Sequence, residues 1–105
     1  MLAHMVYFSL NEPTDENRRK LVEACHHHLT NHPGQVFYAA GTCAREYDRP
    51  VNDREFDVAL QTVFTDRAAH DAYQVAPRHL EFIAACKPMW KQVRVFDADV
   101  DAPKK

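Results

Sequence analysis

Residues 3–10 read AHMVYFSL, and this stretch decides the fold because it is apolar on both faces of the strand that it predicts. Its centre, VYF, favours the extended conformation, and alternate side chains of a strand point to opposite faces. His4 and Phe8 would share one face, and Met5 would lie on the other. A strand with one face in water should instead alternate apolar and polar residues. Both faces of this strand are therefore predicted to be buried.

Outward from this strand, the spacing of apolar residues changes between the periods of a helix and of a strand. In chain order the sequence predicts a strand over 3–10, a helix from the cap Thr14 to about Asn31, strands over 35–44 and 56–65, a helix capped by Thr65 or Asp66, a helical piece after Pro77 that ends near Pro88, and a strand over 93–96. The segment 45–55 holds seven charged residues and is predicted to be an exposed loop.

The apolar stripes of these elements predict the core. By element, they are Leu21, Val22, Cys25 and Leu29 on the first helix; Phe56, Val58, Leu60, Thr62 and Phe64 on the third strand; Ala69, Ala72, Tyr73 and Ala76 on the second helix; and Leu80, Ile83 and Cys86 after the proline. Each set repeats at the spacing of its element, so each is expected to face the same interior.

The order β-α-β-β-α-β indicates an α+β, ferredoxin-like fold with a four-stranded antiparallel sheet and its helices on one face. The other face of the sheet has no element to cover it. A second copy of the chain would cover it through an isologous contact. The sequence therefore predicts a homodimer through the open face of the sheet.

Length and composition narrow the function classes. The 105 residues are predicted to form one domain over 1–98 with a tail over 99–105. A net charge of −2 without a block of one sign argues against a nucleic-acid partner. No apolar run approaches the roughly 20 residues that cross a bilayer, and no leader is recognised, so we expect no membrane association and a cytoplasmic location. Three widely spaced cysteines are expected to be reduced thiols.

Seven histidines are a high number for this length, and three of them are consecutive, His26, His27 and His28. Consecutive helical residues point about 100° apart and cannot face one metal ion together. His28 and His32 have ligand spacing, but a site needs three or four ligands. We therefore predict no metal site here and a solvated helix surface.

His4, Tyr73 and His79 form a different group of candidates. His4 shares a face with apolar side chains, where an imidazole needs a hydrogen-bond partner or an adjoining cavity. Tyr73 lies on an apolar stripe, and His79 follows the break at Pro77. The three could line one pocket, or each could be a buried residue with a structural hydrogen bond.

Several segments in order resemble the Dabb family, the stress-responsive α/β barrel domains. They are His4, FDVAL at 56–60, Phe64, YQVAPRH at 73–79, Trp90, and VFD at 95–97. The resemblance spans about 2–97. It implies a ferredoxin-like monomer whose sheet packs on the sheet of a partner to form a dimeric α/β barrel, with 1–98 as the Dabb domain.

The resemblance also implies a reaction. In the plant olivetolic acid cyclase, which closes a linear polyketide by an aldol reaction without a cofactor, the active-site positions match His4, Tyr73 and His79. They would be catalytic and ligand-binding here, with His79 as general base, Tyr73 as donor to the enolate, and His4 orienting the substrate. Two further histidines of the cyclase correspond to Val58 and Ala76.

Three functions are therefore compatible with the sequence. The leading hypothesis is a homodimer that binds a small, largely apolar oxygenated molecule and carries out a cofactor-free cyclase- or lyase-like reaction. The alternative is a non-catalytic stress-response or assembly module. A haem-using or cofactor-free oxygenase follows from fold analogy alone. Some relatives also hold a cation on backbone carbonyls, which would lie near Leu29, His32 and Gln35.

Overall fold

The computed structural model describes residues 1–104, and in this range the chain forms one antiparallel sheet packed against three α-helices. The elements are β1 Leu2–Leu10, α1 Asp15–His28, β2 Gln35–Thr42, β3 Val58–Phe64, α2 Arg67–Gln74, α3 Pro77–Cys86 and β4 Trp90–Asp99, with a 3-10 turn at Lys87–Met89. The strands lie in the order β2-β3-β1-β4. This is the predicted ferredoxin-like fold, and the predicted fold class is confirmed.

β1 is central in the sheet, with β3 on one side and β4 on the other. In this register His4 lies opposite Thr62 on β3 and opposite Asp97 on β4. β4 is longer than the predicted strand over 93–96, and Val100 beyond it still exchanges backbone hydrogen bonds with Met1. Pairing with the central strand extends β4 into polar residues whose own pattern does not indicate a strand.

The helix ends follow local capping. The Thr14 hydroxyl accepts a hydrogen bond from the Asn17 N–H at 3.1 Å, and the Asp66 carboxylate accepts one from Ala69 at 2.8 Å. Asp66 is therefore the cap of α2. α1 ends at His28, three residues before the predicted end, and Asn31 takes a left-handed conformation with φ 61° that no helix continues through.

The core lies between the helices and one face of the sheet. Leu21, Cys25 and Leu29 are buried there as predicted, but Leu80 is 51% exposed and its predicted burial is wrong. The buried side of α3 carries His79, Phe82 and Cys86 instead. Ala76 is extended, with ψ 142°, so a new helix starts at the proline and its phase does not continue that of α2.

The opposite face of the sheet is not covered by any element of residues 1–104. Tyr7 packs there against Phe96, with ring centroids 5.7 Å apart. The Phe56 ring also packs on Tyr7, at 4.9 Å, so its predicted place beside Val58 is wrong. Residue 56 precedes the first residue of β3, and the alternation of faces does not extend into the loop.

Among these residues, none of the helices has the length and apolar composition needed to cross a membrane.

Candidate active site

A cavity of about 410 Å³ lies between the helix-facing side of β1 and β4 and the pair α2–α3. All three candidate residues line it: His4 from β1, Tyr73 from α2 and His79 from α3. The break at Pro77 turns the chain so that Tyr73 and His79 face the same space, with ring centroids 4.6 Å apart. The structure therefore brings together the residues that the sequence singled out.

His4 is buried and oriented by a carboxylate. Its Nδ1 lies 2.5 Å from Asp97 Oδ1, and its Nε2 lies 3.4 Å from the side-chain nitrogen of Gln74. Nδ1 thus donates to Asp97 while Nε2 accepts from the Gln74 amide, which fixes the tautomer. Burial lowers the pKa of His4, and Asp97 partly opposes this effect.

Tyr73 is enclosed by aromatic rings on several sides. Its ring contacts those of His79, His32 and Phe64 at centroid distances of 4.6, 4.8 and 4.9 Å. Burial raises the pKa of Tyr73, so the phenol is a hydrogen-bond donor at neutral pH. Its hydroxyl is buried and finds no hydrogen-bond partner within residues 1–104. A buried phenol normally has one.

His79 is the second buried group without a complete set of partners. Its Nδ1 is hidden from solvent and makes no hydrogen bond in the part of the chain that the structure describes. Burial lowers the pKa of His79, nearby His4 lowers it further, and the backbone of Gln74 partly opposes both effects. His79 is thus a neutral imidazole at neutral pH, which is the form that accepts a proton.

The other end of the cavity is apolar and aromatic. Phe8 and Trp90 pack there with centroids 5.1 Å apart, and Phe82 lies 5.8 Å from Trp90. The Trp90 indole N–H is also buried without an acceptor among the residues described. A bound molecule would therefore meet an apolar wall at one end and imidazole and phenol groups at the other.

Three residues at the polar end were not assigned a role from the sequence: His70, Gln74 and Asp97. His70 and Gln74 lie on α2, and the Gln74 amide nitrogen is 3.1 Å from His70 Nε2. Asp97 belongs to the VFD segment at 95–97, but only the pairing of β1 with β4 places it beside His4. No spacing along the chain signals the contacts of His4 with Asp97 and Gln74, because these residues are 93 and 70 positions apart.

The residues that the sequence suggested for a metal ion or a cation, around His28, His32 and Gln35, make hydrogen bonds within the chain. His32 is buried, and its Nε2 bonds to the His28 carbonyl at 2.8 Å, so these two histidines do not share a ligand position. The backbone carbonyls of Leu29 and His32 were predicted as possible cation ligands. The Gln35 side chain donates a hydrogen bond to the Leu29 carbonyl at 2.8 Å, and the Gln35 backbone N–H donates one to the His32 carbonyl at 3.0 Å. Both carbonyls are thus engaged within the chain.

Comparison with known proteins agrees with this architecture. The sequence model of the family described as "Stress responsive A/B Barrel Domain" (Dabb) matches residues 2–100. A search of curated proteins gave no match.

Solved structures share the fold at low sequence identity. A Dabb family protein with a ferredoxin-like fold from Mesorhizobium loti has a TM-score of 0.77 at 17% identity, over 96% of this chain and 97% of that one. A dimeric ferredoxin-like protein of unknown function from Thermobifida fusca has a TM-score of 0.76 at 20% identity, over 94% and 90%. A hydroxynitrile lyase from Passiflora edulis has a TM-score of 0.74 at 17% identity, over 99% and 96%.

Proposed function

The chain belongs to the stress-responsive A/B barrel (Dabb) family, and from this membership and the geometry of the cavity we propose that it binds a small, largely apolar oxygenated molecule. We further propose that it moves a proton on that molecule, as a cyclase- or lyase-like enzyme that uses its own side chains. The protein would act as a homodimer.

One observation carries the proposal: the Tyr73 hydroxyl and the His79 Nδ1 are both buried, both lack a partner among the described residues, and both belong to one cavity. Leaving a buried polar group unpaired costs about 1–3 kcal/mol. Two such groups side by side are explained by a ligand that supplies a partner to each. A carbonyl compound has this chemistry. Its oxygen accepts a hydrogen bond from the Tyr73 phenol, and its adjacent acidic C–H lies against the His79 imidazole.

The roles follow from the protonation states. His79, neutral and with a free lone pair, would take a proton from a carbon between two carbonyl groups. Tyr73 would donate a hydrogen bond to the oxygen that becomes enolate, and the low polarity of the cavity strengthens this contact. His4, held by Asp97, would orient the substrate. In an aldol closure the enolate carbon attacks a second carbonyl, and the proton on His79 passes to the resulting alkoxide oxygen, which becomes the hydroxyl.

The relatives support this class of reaction without specifying it. The Passiflora edulis protein, named as a hydroxynitrile lyase, has the same fold. At 17% identity its substrate does not transfer to this chain, so the cavity must define the substrate here.

A second candidate function is the non-catalytic assembly module, and one observation favours it. The open face of the sheet carries large exposed side chains, among them Phe37 and Phe96. A contiguous apolar face of this kind fits a second copy, and the related protein from Thermobifida fusca is described as dimeric. Under this reading the dimer is the function, and the cavity has no ligand.

The test combines ligand binding with turnover, in the presence of a chelator. The purified protein would be titrated with a panel of β-diketones and hydroxylated aromatics while the histidine NMR signals are recorded. His79→Ala and Tyr73→Phe are expected to keep the fold and to lower turnover by about 10²-fold or more. His27→Ala, on the exposed surface of α1, is the matched control and should have no effect.

The pH profile gives an independent check of the base. Because the pKa of His79 lies below the ordinary value of 6.5, turnover should be full at neutral pH and fall only in the acid range below that value. Selective shifts of the His79 signals with a ligand would support the enzyme. If no compound perturbs them and both variants keep every measurable property, the assembly module is the better description.

A further inference from the structure

At the polar end of the cavity the geometry points to a binding site for a divalent transition-metal ion, formed by His4, His70 and Asp97. These residues come from β1, α2 and β4, and one ligand atom of each lies within 4.8 Å of the others. Two imidazoles and a carboxylate suit zinc, cobalt or iron in the divalent state. The site shares His4 and Asp97 with the function proposed above, and His70, which has no role in the proton transfer, distinguishes the two.

The distances fit an ion after a small adjustment. Asp97 Oδ1 is 2.5 Å from His4 Nδ1 and 4.0 Å from His70 Nε2. In a tetrahedral site with bonds of about 2.0–2.1 Å, neighbouring ligand atoms are about 3.4 Å apart. The first gap must open and the second must close, each by less than about 1 Å, and rotation of the partly exposed Asp97 carboxylate does both. The two imidazole nitrogens, which lie within 4.8 Å of each other, must also approach, and this requires a rotation of the imidazole rings.

The outer contact of His70 resembles that of a metal-bound imidazole, and His4 can acquire one. His70 Nδ1 is 3.1 Å from Asp71 Oδ1, so it donates to a carboxylate and leaves Nε2 facing the site. His4 Nε2 faces the side-chain amide of Gln74, which would present its oxygen when Nδ1 binds the ion. Such partners orient a metal-bound histidine through its second nitrogen. His70 Nε2 thus faces the site before an ion arrives, whereas His4 binds the ion at Nδ1 only after its proton moves to Nε2 and the Gln74 amide turns.

The position also provides access and an open coordination site. His70 and Asp97 line both the inner cavity and an outer groove that includes Arg67 and Asp99. An ion can therefore arrive from solvent through the groove. With three ligands from the protein, its fourth position faces the cavity, where it could hold an oxygen atom of a bound molecule. This arrangement is typical of a reactive site, since structural sites have all positions filled by the protein.

The test is metal binding by the untagged, chelator-treated protein. Zn²⁺ would be titrated calorimetrically, and Co²⁺ would be followed by its visible absorption, which reports nitrogen and oxygen ligation directly. We expect one ion per chain. His70→Ala and Asp97→Asn should each weaken binding by at least tenfold, and Asp71→Ala, which removes only an outer contact, by about 10–100-fold. Circular dichroism confirms that each variant is folded.

His27→Ala is the matched control, because His27 belongs to the exposed histidine run of α1, the obvious alternative for adventitious binding. Retained binding in this variant together with loss in His70→Ala establishes the site. Loss in His27→Ala with none in His70→Ala overturns it, as does the absence of any binding near one equivalent. His79→Ala should bind the ion normally, so the outcome is independent of whether the proposed proton transfer occurs.

Discussion

Asp57 shows how one buried side chain stabilises the fold by bonding to several elements at once. Its carboxylate is buried, accepts the Leu10 N–H at 2.8 Å and the Arg18 Nε–H at 3.0 Å, and lies 3.5 Å from Arg45. It thus connects the end of β1 to α1 and to the loop before β3. The sequence gives no sign of this role, because the three partners are distant along the chain.

We expect Asp57→Ala to lower the free energy of unfolding by about 2–4 kcal/mol, because it leaves the buried Leu10 N–H and the partly buried Arg18 Nε–H without an acceptor. Urea denaturation measures this change. Asp15→Ala is the matched control: Asp15 binds the same arginine at 2.9 Å, but its side chain is 94% exposed. An exposed pair contributes less than about 1 kcal/mol. Equal losses in the two variants would contradict the assignment.

At the scale of elements, Gly34 fixes how β2 follows α1. Its φ is 78°, in the left-handed region, and a Cβ placed on it would lie 2.4 Å from the Cβ of Ala69 on α2. Its carbonyl also accepts the Thr65 N–H at 2.8 Å. The turn and the start of α2 therefore pack together at a point where only glycine fits.

Gly34→Ala should lower the free energy of unfolding by about 2–4 kcal/mol, through backbone strain and the clash with Ala69. Gly41→Ala is the control, since a Cβ there meets no atom within 4 Å and its φ is not left-handed. Its effect should stay within about 0.5 kcal/mol. Thermal and urea unfolding of both variants would settle the point, and a tolerated Gly34→Ala would show that the turn relaxes.

The elements differ in how well their own sequence predicts them. β1 was predictable because it is central and apolar along its length, and α2 because Asp66 caps it. β4 was predicted six residues too short, since its partner strand and not its own pattern sets its length. The burial of α3 was predicted on the wrong side at Leu80, because the direction in which a helix starts after a proline depends on the packing around it.

At the scale of the whole molecule, the uncovered face of the sheet is the main feature that one chain leaves unexplained. Phe96 is 54% exposed there and packs on Tyr7. In the proposed homodimer this surface becomes an interior. Burial of such side chains contributes roughly 25 cal/mol per Å², so introducing a charge on this face should prevent association.

We expect Phe96→Asp to convert the dimer to a folded monomer in size-exclusion chromatography with light scattering. Leu80→Asp is the control, because Leu80 is exposed to a similar extent, 51%, but lies on α3, on the other side of the sheet. It should remain dimeric. A wild-type protein that is monomeric at micromolar concentration, or a Leu80→Asp variant that dissociates in place of Phe96→Asp, would show that this face is not the interface.

The sequence predicts only part of the candidate site, because the site combines residues that depart from the apolar pattern with residues that do not. His4, Tyr73 and His79 stand out because polar groups occupy positions where the pattern calls for apolar ones. Asp97, His70 and Gln74 do not stand out, since charged and amide side chains are ordinary at the edge of a sheet or the end of a helix. Only the assembled fold gives them neighbours.

The alternation along β1 places the cavity and the proposed partner surface on the two sides of one strand. His4 and Phe8 face the cavity, while Met5 and Tyr7, their immediate neighbours in sequence, face the other way. A gain or loss of one residue near the start of β1 would exchange the two sets and put the histidine on the partner side. Descendants of this chain should therefore vary freely in the length of the 43–57 loop and almost never in the length of β1.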